Sequence, residues 1–303
     1  MAIHGIEELC REIGNSEEQA VSFAITCSLI PPKIMCPKHR NHEISLTTRR
    51  NCANKFYYRC KKRGTKPFFS YRNHCFTQGF DLPVRKILLF IYMWSRKGNQ
   101  KQIEYDLRLS HPTVVKLCQF MRSVCEAKIL HDHRNRKIGG EGLIVEIDET
   151  KLFVRKYHRG RLTKKSEWAF GGKCRQTKEF FVRFVRYRNR ETLEAILLEN
   201  VLLGTTIFSD KWAAYRRLQE IGFNHGTVNH SQHFVDPDTG VNTNLVENMW
   251  RWLKADMPTV SVPEKFIQGY LFQYQWRLQY GGDGAFENIL HHIEQHTRNE
   301  LQL

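Results

Sequence analysis

The sequence lacks the features that would assign this protein to a membrane or to the secretory pathway. No apolar run reaches the roughly 18–20 residues that a membrane-spanning helix needs. The first residues show no basic segment followed by an apolar stretch and a cleavage site, so we do not expect a secreted protein. The nine cysteines are odd in number and scattered, which indicates reduced thiols or metal ligands and not a disulfide framework.

Acidic residues are also scarce. The chain of 303 residues has 31 Asp and Glu against 47 Lys and Arg, which gives a net charge of +16. Such an excess favours a polyanionic partner, either nucleic acid or an acidic membrane surface. A hydrophobic content of 41% is typical of globular proteins, and the length suits two or three domains.

The positive charge is densest between residues 33 and 75. This stretch has twelve Lys and Arg residues but a single acid, Glu43, and aromatic residues lie between the cations. Phosphate neutralisation combined with ring stacking is a common way to bind nucleic acid, and Lys61, Lys62 and Arg63 are candidate contacts. The alternative is a solvated basic face whose aromatic residues form a small core.

The same stretch contains part of a zinc-binding pattern. Cys36 and His39 form a C-x-x-H knuckle, and Cys60 is a third candidate ligand. A structural zinc site needs four ligands, and Arg63 stands where the partner of Cys60 is expected. Cys75 is a candidate for the fourth ligand. Further candidates for that position are Cys52, His42 and His74. The alternative is a degenerate ribbon that its aromatic core holds together without metal.

Residues 81–138 are predicted to be helical and to include a helix-turn-helix. Ser110 is a suitable N-cap, and a proline in the first turn costs little because its missing N–H has no helical partner there. In a DNA-binding helix-turn-helix, His111, Thr113 and Lys116 would face the major groove. An ordinary helical hairpin is the alternative.

From residue 139 the pattern changes to alternating strands and helices. Three strands, a helix, a strand, a helix, a strand and a helix follow one another, which is the order of an RNase H-like α/β domain with a mixed five-stranded sheet. Asp148 is predicted at the end of the first strand and Asp210 at the end of the fourth. Neighbouring parallel strands bring such residues to one crevice, and Glu247 lies early in the following helix.

Three converging carboxylates would repel one another unless cations lie between them. Mg²⁺ or Mn²⁺ suits oxygen ligands, and two such ions can stabilise both the attacking and the leaving oxygen of a phosphodiester. Each carboxylate also has an ordinary explanation. An Asp at a strand end often caps a turn, Glu149 is an immediate rival to Asp148, and a lone Glu on a helix is commonly solvated.

Several motifs in this region occur together in one known group of proteins. The segments "EIDET", "FSDKWAAY", "NTNLVENMWRWLK" and "YLFQYQWR" resemble successive motifs of the Merlin superfamily of DNA transposases and its bacterial insertion-sequence relatives. The resemblance implies a DDE catalytic triad at Asp148, Asp210 and Glu247, and a zinc-ribbon-like region at Cys36, His39 and Cys60. It also implies recognition of terminal inverted repeats, strand cleavage, and transfer of a 3′-hydroxyl into target DNA.

The chain departs from the family pattern at two points. Asn242 stands where the family usually has His, and the second zinc knuckle lacks a cysteine. Residues around the triad are candidates for auxiliary roles, each with an ordinary alternative as a cap, core or surface residue. These auxiliary candidates are Asn242, Asn244, Lys211, His230, His233 and Lys254.

A basic hairpin is predicted beside Asp148, and it is a candidate contact for DNA or for a partner subunit. Its cations are Arg155, Lys156, Arg159, Arg161, Lys164 and Lys165. The predicted segments are a helical N-terminus (1–32), a basic zinc-ribbon-like region (33–80), a helix-turn-helix region (81–138), an RNase H-like catalytic domain (139–258) and a helical tail (259–303).

These features together predict a Mg²⁺-dependent DDE transposase. It would bind double-stranded DNA as a homodimer or larger assembly, because two transposon ends must be held together, and it would act in the nucleus if its host is eukaryotic. Two alternatives belong to other classes of protein. One is a transposase-derived DNA-binding protein without catalysis, and the other is a nuclease of the same fold that cuts without joining.

Overall fold

The computed structural model describes residues 3, 5–48, 56–62, 67–153, 167–228, 241–258 and 262–301. Their contacts divide the chain into two compact units. Unit 1 comprises Met1–Val124 and Arg277–Leu303, and unit 2 comprises Cys125–Trp276. No helix in the described ranges has the length and apolar character needed to cross a membrane.

Helices form most of unit 1. They are α1 (Ile6–Ile13), α2 (Glu17–Thr26), α3 (Val84–Ser95), α4 (Gln100–Leu107), the first part of α5 (His111–Asn135) and α9 (Ala285–Leu301). Ser16 and Gln19 form a capping box that supplies partners for free N–H groups at the start of α2. Helix α3 is buried on most sides, as its nearly continuous apolar sequence predicts, and the rings of Tyr92 and Phe286 join it to α9.

A small antiparallel sheet follows α2 in unit 1. Its described strands are β1 (Lys33–Met35), β2 (Glu43–Thr48), β3 (Phe56–Arg59) and β4 (Phe68–Ser70), paired in the order β1-β2-β3-β4. The side chain of Tyr58 is fully buried, and its hydroxyl donates a hydrogen bond to the carbonyl of Pro31. The predicted aromatic core of this region is therefore present.

The centre of unit 2 is a mixed five-stranded sheet. Its strands are β5 (Ile144–Lys151), β6 (Trp168–Cys174), β7 (Phe180–Val185), β8 (Thr206–Asp210) and β9 (Asn224–Val228). The spatial order is β7-β6-β5-β8-β9, with β5, β6 and β7 antiparallel and both β8 and β9 parallel to β5. This sheet confirms the predicted mixed five-stranded α/β architecture.

Helices cover both faces of this sheet. Helix α6 (Arg190–Asn200) packs on one face, where Phe170 and Phe181 are buried. Helices α7 (Asn244–Asp256) and α8 (Glu264–Tyr280) contribute to a second core, which includes Val182. Side chains alternate between the two faces along each strand, and this alternation decides which residues of β5 reach α7.

The structure differs from the sequence-based expectation at two places in the chain. The helix predicted after Asp210 is only a 3₁₀ turn, Ala213–Tyr215. The Trp212 N–H donates to Asp210 and the Tyr215 hydroxyl to Glu149, so side-chain contacts with the sheet hold this segment in a turn. The predicted tail 259–303 is divided at Trp276, because the first part of α8 packs into the core of unit 2.

Candidate functional site

Asp148 and Asp210 lie at the same level on neighbouring parallel strands. The register pairs Glu146 of β5 with Phe208 of β8, and both aspartates lie two residues further along. Strand β5 continues past Asp148 to Lys151, so the prediction that Asp148 ends its strand is wrong. Strand β8 ends at Asp210, and its pairing with β5 ends at Phe208, so the two strands separate at the expected edge.

The alternation of β5 distinguishes Asp148 from its neighbour Glu149. Val145 and Ile147 point into the core beneath α6, so Asp148 must face α7 and Glu149 must face α6. Glu149 accepts a hydrogen bond from the buried Tyr215 hydroxyl. Burial raises the pKa of Glu149 to about 7, since desolvation disfavours its charged form. Glu149 therefore belongs to a structural network on the opposite face.

Glu247 lies in the first turn of α7 with an exposed side chain. Val246, Trp250 and Leu253 are buried against the sheet, each contributing roughly 1.5–3 kcal/mol of hydrophobic stabilisation. This packing fixes the orientation of the helix. The Thr243 hydroxyl donates to Glu247 Oε1 at 3.1 Å, which restricts the carboxylate further.

Trp250 connects α7 directly to Asp148. Its indole N–H donates to Asp148 Oδ2 at 3.0 Å. The indole lies over Gly171 of β6, which is the residue paired with Asp148, and a Cβ at Gly171 would come within 2.7 Å of the ring. Glycine at this position therefore permits the contact.

The carboxylates are close enough to influence one another's charge. Burial is the main cause that raises the pKa of Asp148 to about 7, and the charges of Asp210 and Glu247 raise it further. Among the described residues, these three carboxylates are not one of the compact groups of ligand atoms that could hold a single metal ion. Two ions about 3.5–4 Å apart would suit such an open set of hard oxygen donors.

A buried carboxylate that the sequence analysis missed lies on the same face of β5. Glu146 is 2% exposed and forms an ion pair with Arg175 at 2.6 Å. Glu146 Oε2 also accepts the backbone N–H groups of Leu245 and Val246 at 2.7 and 3.1 Å. The period of two could have identified Glu146, because it lies two residues before Asp148 and therefore faces α7 as well.

The predicted auxiliary residues have varied surroundings. Asn244 begins α7 with an exposed side chain, and its N–H donates to Asn242 Oδ1 at 3.4 Å, so Asn244 is not the N-cap. Lys211 and Lys254 are exposed at the ends of the elements that carry Asp210 and Glu247. His230 and His233 lie outside the described residues, as do the cations of the predicted basic hairpin, Arg155, Lys156, Arg159, Arg161, Lys164 and Lys165.

Unit 1 contains a second candidate metal centre, a cluster of two cysteines and two histidines. The ligand atoms of Cys36, His39, His42 and Cys60 all lie within 4.8 Å of one another. Cys60 Sγ lies 3.4 Å from His39 Nδ1 and 3.4 Å from His42 Nε2, and Cys36 Sγ lies 3.5 Å from His39 Nδ1. A zinc tetrahedron with ordinary Zn–S and Zn–N bonds has S···N edges of about 3.6 Å, so this donor set fits zinc.

Local charge favours the ionisation states that a metal requires. Burial opposes ionisation of Cys36, but N–H groups of His39 and Lys38, with Cys60 and Lys62, lower its pKa overall. Desolvation and the positive charges of Lys62, His42 and Lys38 lower the pKa of His39, which keeps its ring neutral. Both shifts favour metal binding.

The fourth member of the cluster is His42 and not Cys75. Cys75 is buried outside the cluster, where its thiol contacts the Thr77 hydroxyl at 3.0 Å. The turn after Cys36 explains why a histidine is in reach. The Arg40 N–H donates to the Cys36 carbonyl and the Cys36 N–H to the His42 carbonyl, so the chain folds back over Cys36.

The predicted DNA-contact residues of the helix-turn-helix make contacts within unit 1. His111 Nδ1 lies 2.7 Å from Glu104 Oε1, and the Thr113 hydroxyl hydrogen-bonds with Ser110. Lys116 donates to the carbonyl of Gly79. The turn between α4 and α5 is short as predicted, but α5 extends over 25 residues. Lys61 and Lys62 are exposed beside the Cys/His cluster, and Arg63 is outside the described residues.

Comparison with known proteins identifies a domain type in unit 2. Residues 138–279, slightly less than half of the chain, match the family model described as the ISXO2-like transposase domain. An uncharacterized transposase-like protein of Haemophilus influenzae is 28% identical over 87 residues, which cover 28% of this chain and 69% of that protein. The segment that contains Asp148, Asp210 and Glu247 is thus similar to a transposase domain. The more specific Merlin assignment stays a prediction.

Two solved structures align with part of the chain. The catalytic core of HTLV-2 integrase, in complex with magnesium, is 17% identical and covers 48% of this chain and 89% of its own, with a TM-score of 0.31. The Mos1 strand transfer complex is 10% identical and covers 72% of this chain and 77% of its own, with a TM-score of 0.30.

Proposed function

We propose that this protein is a DNA transposase of the Merlin type that cleaves transposon ends and joins them to target DNA. One observation carries the proposal. In a domain of the transposase type, Asp148 and Asp210 lie level on neighbouring parallel strands, and the charge of Glu247 acts on Asp148. The sheet order and its covering helices agree with an RNase H-like fold.

Asp148, Asp210 and Glu247 would hold two Mg²⁺ or Mn²⁺ ions. Bound there, such ions activate a water or a 3′-hydroxyl and stabilise the charge on the transferred phosphoryl group. The chain positions the ligands. Trp250 holds one oxygen of Asp148, Thr243 restricts Glu247, and the packed face of α7 keeps the helix against the sheet.

The partner of the catalytic domain would be double-stranded DNA, and the charge of +16 supports this. Unit 1 would contribute a zinc-stabilised ribbon at the Cys/His cluster, with Lys61 and Lys62 exposed beside it. In the free protein His111 contacts Glu104, and DNA binding through His111 would exchange this contact for a phosphate or base. A homodimer or higher homo-oligomer would hold the two transposon ends together, in the nucleus if the host is eukaryotic and otherwise in the cytoplasm.

A strand-joining assay tests this function. The protein is incubated with Mn²⁺ or Mg²⁺, a plasmid target and a pre-cleaved oligonucleotide taken from inverted repeats that flank the gene. We expect joined products that disappear with Glu247→Gln, because an amide removes one anionic ligand. Glu220→Gln is the matched control, since the carboxylate of Glu220 is exposed and pairs with Arg217.

Each other outcome contradicts the proposal in a different way. Cleavage without joining would indicate a nuclease of the same fold. DNA binding without cleavage or joining would indicate a transposase-derived binding protein, and the Asn242 departure would then be the first position to restore to His. Joining that survives Glu247→Gln would exclude Glu247 as a metal ligand.

A further inference from the structure

The buried ion pair of Glu146 and Arg175 connects the sheet of unit 2 to the start of helix α7. A carboxylate is costly to bury, and Glu146 is nearly inaccessible to solvent. Its oxygens are nevertheless satisfied by three donors, namely Arg175 Nε and the backbone N–H groups of Leu245 and Val246. These two N–H groups lie in the first turn of α7, where no helical carbonyl is available to accept them.

Arg175 extends the connection to the chain that leads into α7. Its Nη2 donates to the Asn242 carbonyl at 3.0 Å, two residues before the helix begins. Its own backbone N–H donates to the Ile144 carbonyl, at the start of β5. The guanidinium also lies over the Phe208 ring at 4.8 Å. Arg175 therefore contacts both the sheet and the chain that leads into α7.

Glu146 and Asp148 occupy the same face of one strand. Glu146 holds the amides of residues 245 and 246, and Glu247 is the next residue along α7. The strand that carries one proposed metal ligand thus also anchors the helix that carries another. A displacement of about 1 Å at the start of α7 would move Glu247 by a similar amount, which is large compared with metal–oxygen tolerances.

We propose that Glu146 and Arg175 are positioning residues that fix the first turn of α7 and thereby hold Glu247 at the carboxylate centre. The role in positioning a metal ligand rests on the proposed function. The role in holding the helix does not, because it follows from hydrogen bonds within the chain.

Glu146→Gln in the full-length protein tests the pair. The amide keeps the size of the side chain but loses the negative charge that Arg175 and the two N–H groups face. We expect hydrogen exchange at the amides of Leu245 and Val246 to become at least tenfold faster, while exchange in β6 stays as in the wild type. We also expect the apparent Kd for Mn²⁺, measured by titration calorimetry, to rise at least tenfold.

Two further variants separate positioning from general destabilisation. Arg175→Lys keeps a cation beside Glu146 but cannot donate to both Glu146 and Asn242 in the same geometry, so we expect a smaller change of the same kind. If Glu146→Gln does not fold, Arg175→Lys still tests the inference. Glu220→Gln removes an exposed ion pair of unit 2 and should change neither exchange in α7 nor the Kd for Mn²⁺.

The results distinguish this inference from the proposed function. A wild-type protein that binds no Mn²⁺ contradicts the proposed function, and the exchange rates then decide alone whether the pair holds α7. Exchange and Mn²⁺ affinity within twofold of wild type in Glu146→Gln would overturn the inference. So would a uniform loss of protection across α7 and β6, because that pattern indicates a structural role without selectivity for the helix start.

Discussion

The two candidate metal centres of this chain use opposite arrangements of ligands. In unit 1, two sulfur and two nitrogen atoms lie within 4.8 Å of one another, with S···N distances of 3.4 and 3.5 Å. In unit 2, the three described carboxylates do not form such a compact group, and Glu247 is exposed. A closed set leaves no position for a substrate, whereas an open set does.

The difference indicates which centre supports the fold and which supports chemistry. The small sheet of unit 1 has short strands, and a metal would join the turn after Cys36 to the end of β3 near Cys60. Unit 2 has its own cores on both faces of a five-stranded sheet, so its fold does not depend on an ion. Loss of metal should therefore unfold the small sheet of unit 1, whereas unit 2 should stay folded and lose only its activity.

The largest expected effect is the loss of the ribbon fold on Cys60→Ser. Structural zinc contributes on the order of 10 kcal/mol to the folding of small zinc domains, and serine is a poor zinc ligand. We expect zinc content to fall and hydrogen exchange in β2 and β3 to lose its protection. Cys75→Ser is the matched control, a buried cysteine outside the cluster that should retain zinc. If Cys75→Ser lost zinc and Cys60→Ser kept it, Cys75 and not Cys60 would be the zinc ligand.

The next largest effect is on catalysis without unfolding. Asp210→Asn should reduce strand joining at least about a thousandfold, because it removes one anionic metal ligand. The free energy of unfolding without metal should stay equal or increase, since the change removes a charge that acts on Asp148. Urea unfolding and the joining assay measure the two quantities. An Asp210→Asn protein that still joins strands but unfolds at a lower urea concentration than the wild type would contradict the roles assigned to the two centres.

Metal should stabilise unit 2 by a smaller amount. An ion that binds only the folded state adds about 2.7 kcal/mol at a free concentration of 100 times its Kd. We expect Mn²⁺ to raise the Tm of the wild type and to leave the Tm of Asp148→Asn unchanged. Differential scanning calorimetry on zinc-loaded protein measures both, so that the ribbon does not contribute. An equal shift in the two proteins would place the Mn²⁺ site elsewhere.

The smallest expected effect is the contribution of His133 to the pH dependence of unit 2, which acts against the raised pKa values of Asp148 and Glu149. Burial, followed by the charge of Arg183, lowers the pKa of His133 to about 4, and its Nδ1 accepts a hydrogen bond from Arg183. His133 takes up a proton near pH 6.5 in the unfolded chain but only near pH 4 in the folded unit, so its contribution to stability is lost as the pH falls from about 6.5 to 4. The loss at pH 5 should be at most about 2 kcal/mol.

Urea unfolding of the wild type and of His133→Gln at pH 7 and pH 5, followed by tryptophan fluorescence, isolates this contribution. Between pH 7 and pH 5 the stability of His133→Gln should change more favourably than that of the wild type, because glutamine can still accept from Arg183 but does not titrate. The same pH dependence in both proteins would show that His133 makes no such contribution.

Much of the site could be predicted from particular residues. Strand periodicity located Asp148 and Asp210 on two strands, and the order of the elements placed Glu247 early in the following helix. The helix expected after Asp210 could not be excluded in this way. Its outcome depends on a hydrogen bond between Tyr215 and Glu149, which are 66 residues apart.

The sequence by itself determined the basic charge, the strand and helix order of unit 2, and the residue types available as ligands, because these follow from local composition and periodicity. The tertiary structure decided which of them meet. It selected His42 over Cys75, faced Asp148 towards α7 and Glu149 away from it, and brought Glu146 and Arg175 to the start of α7. Such choices depend on contacts between distant segments, and local patterns do not encode distances between them.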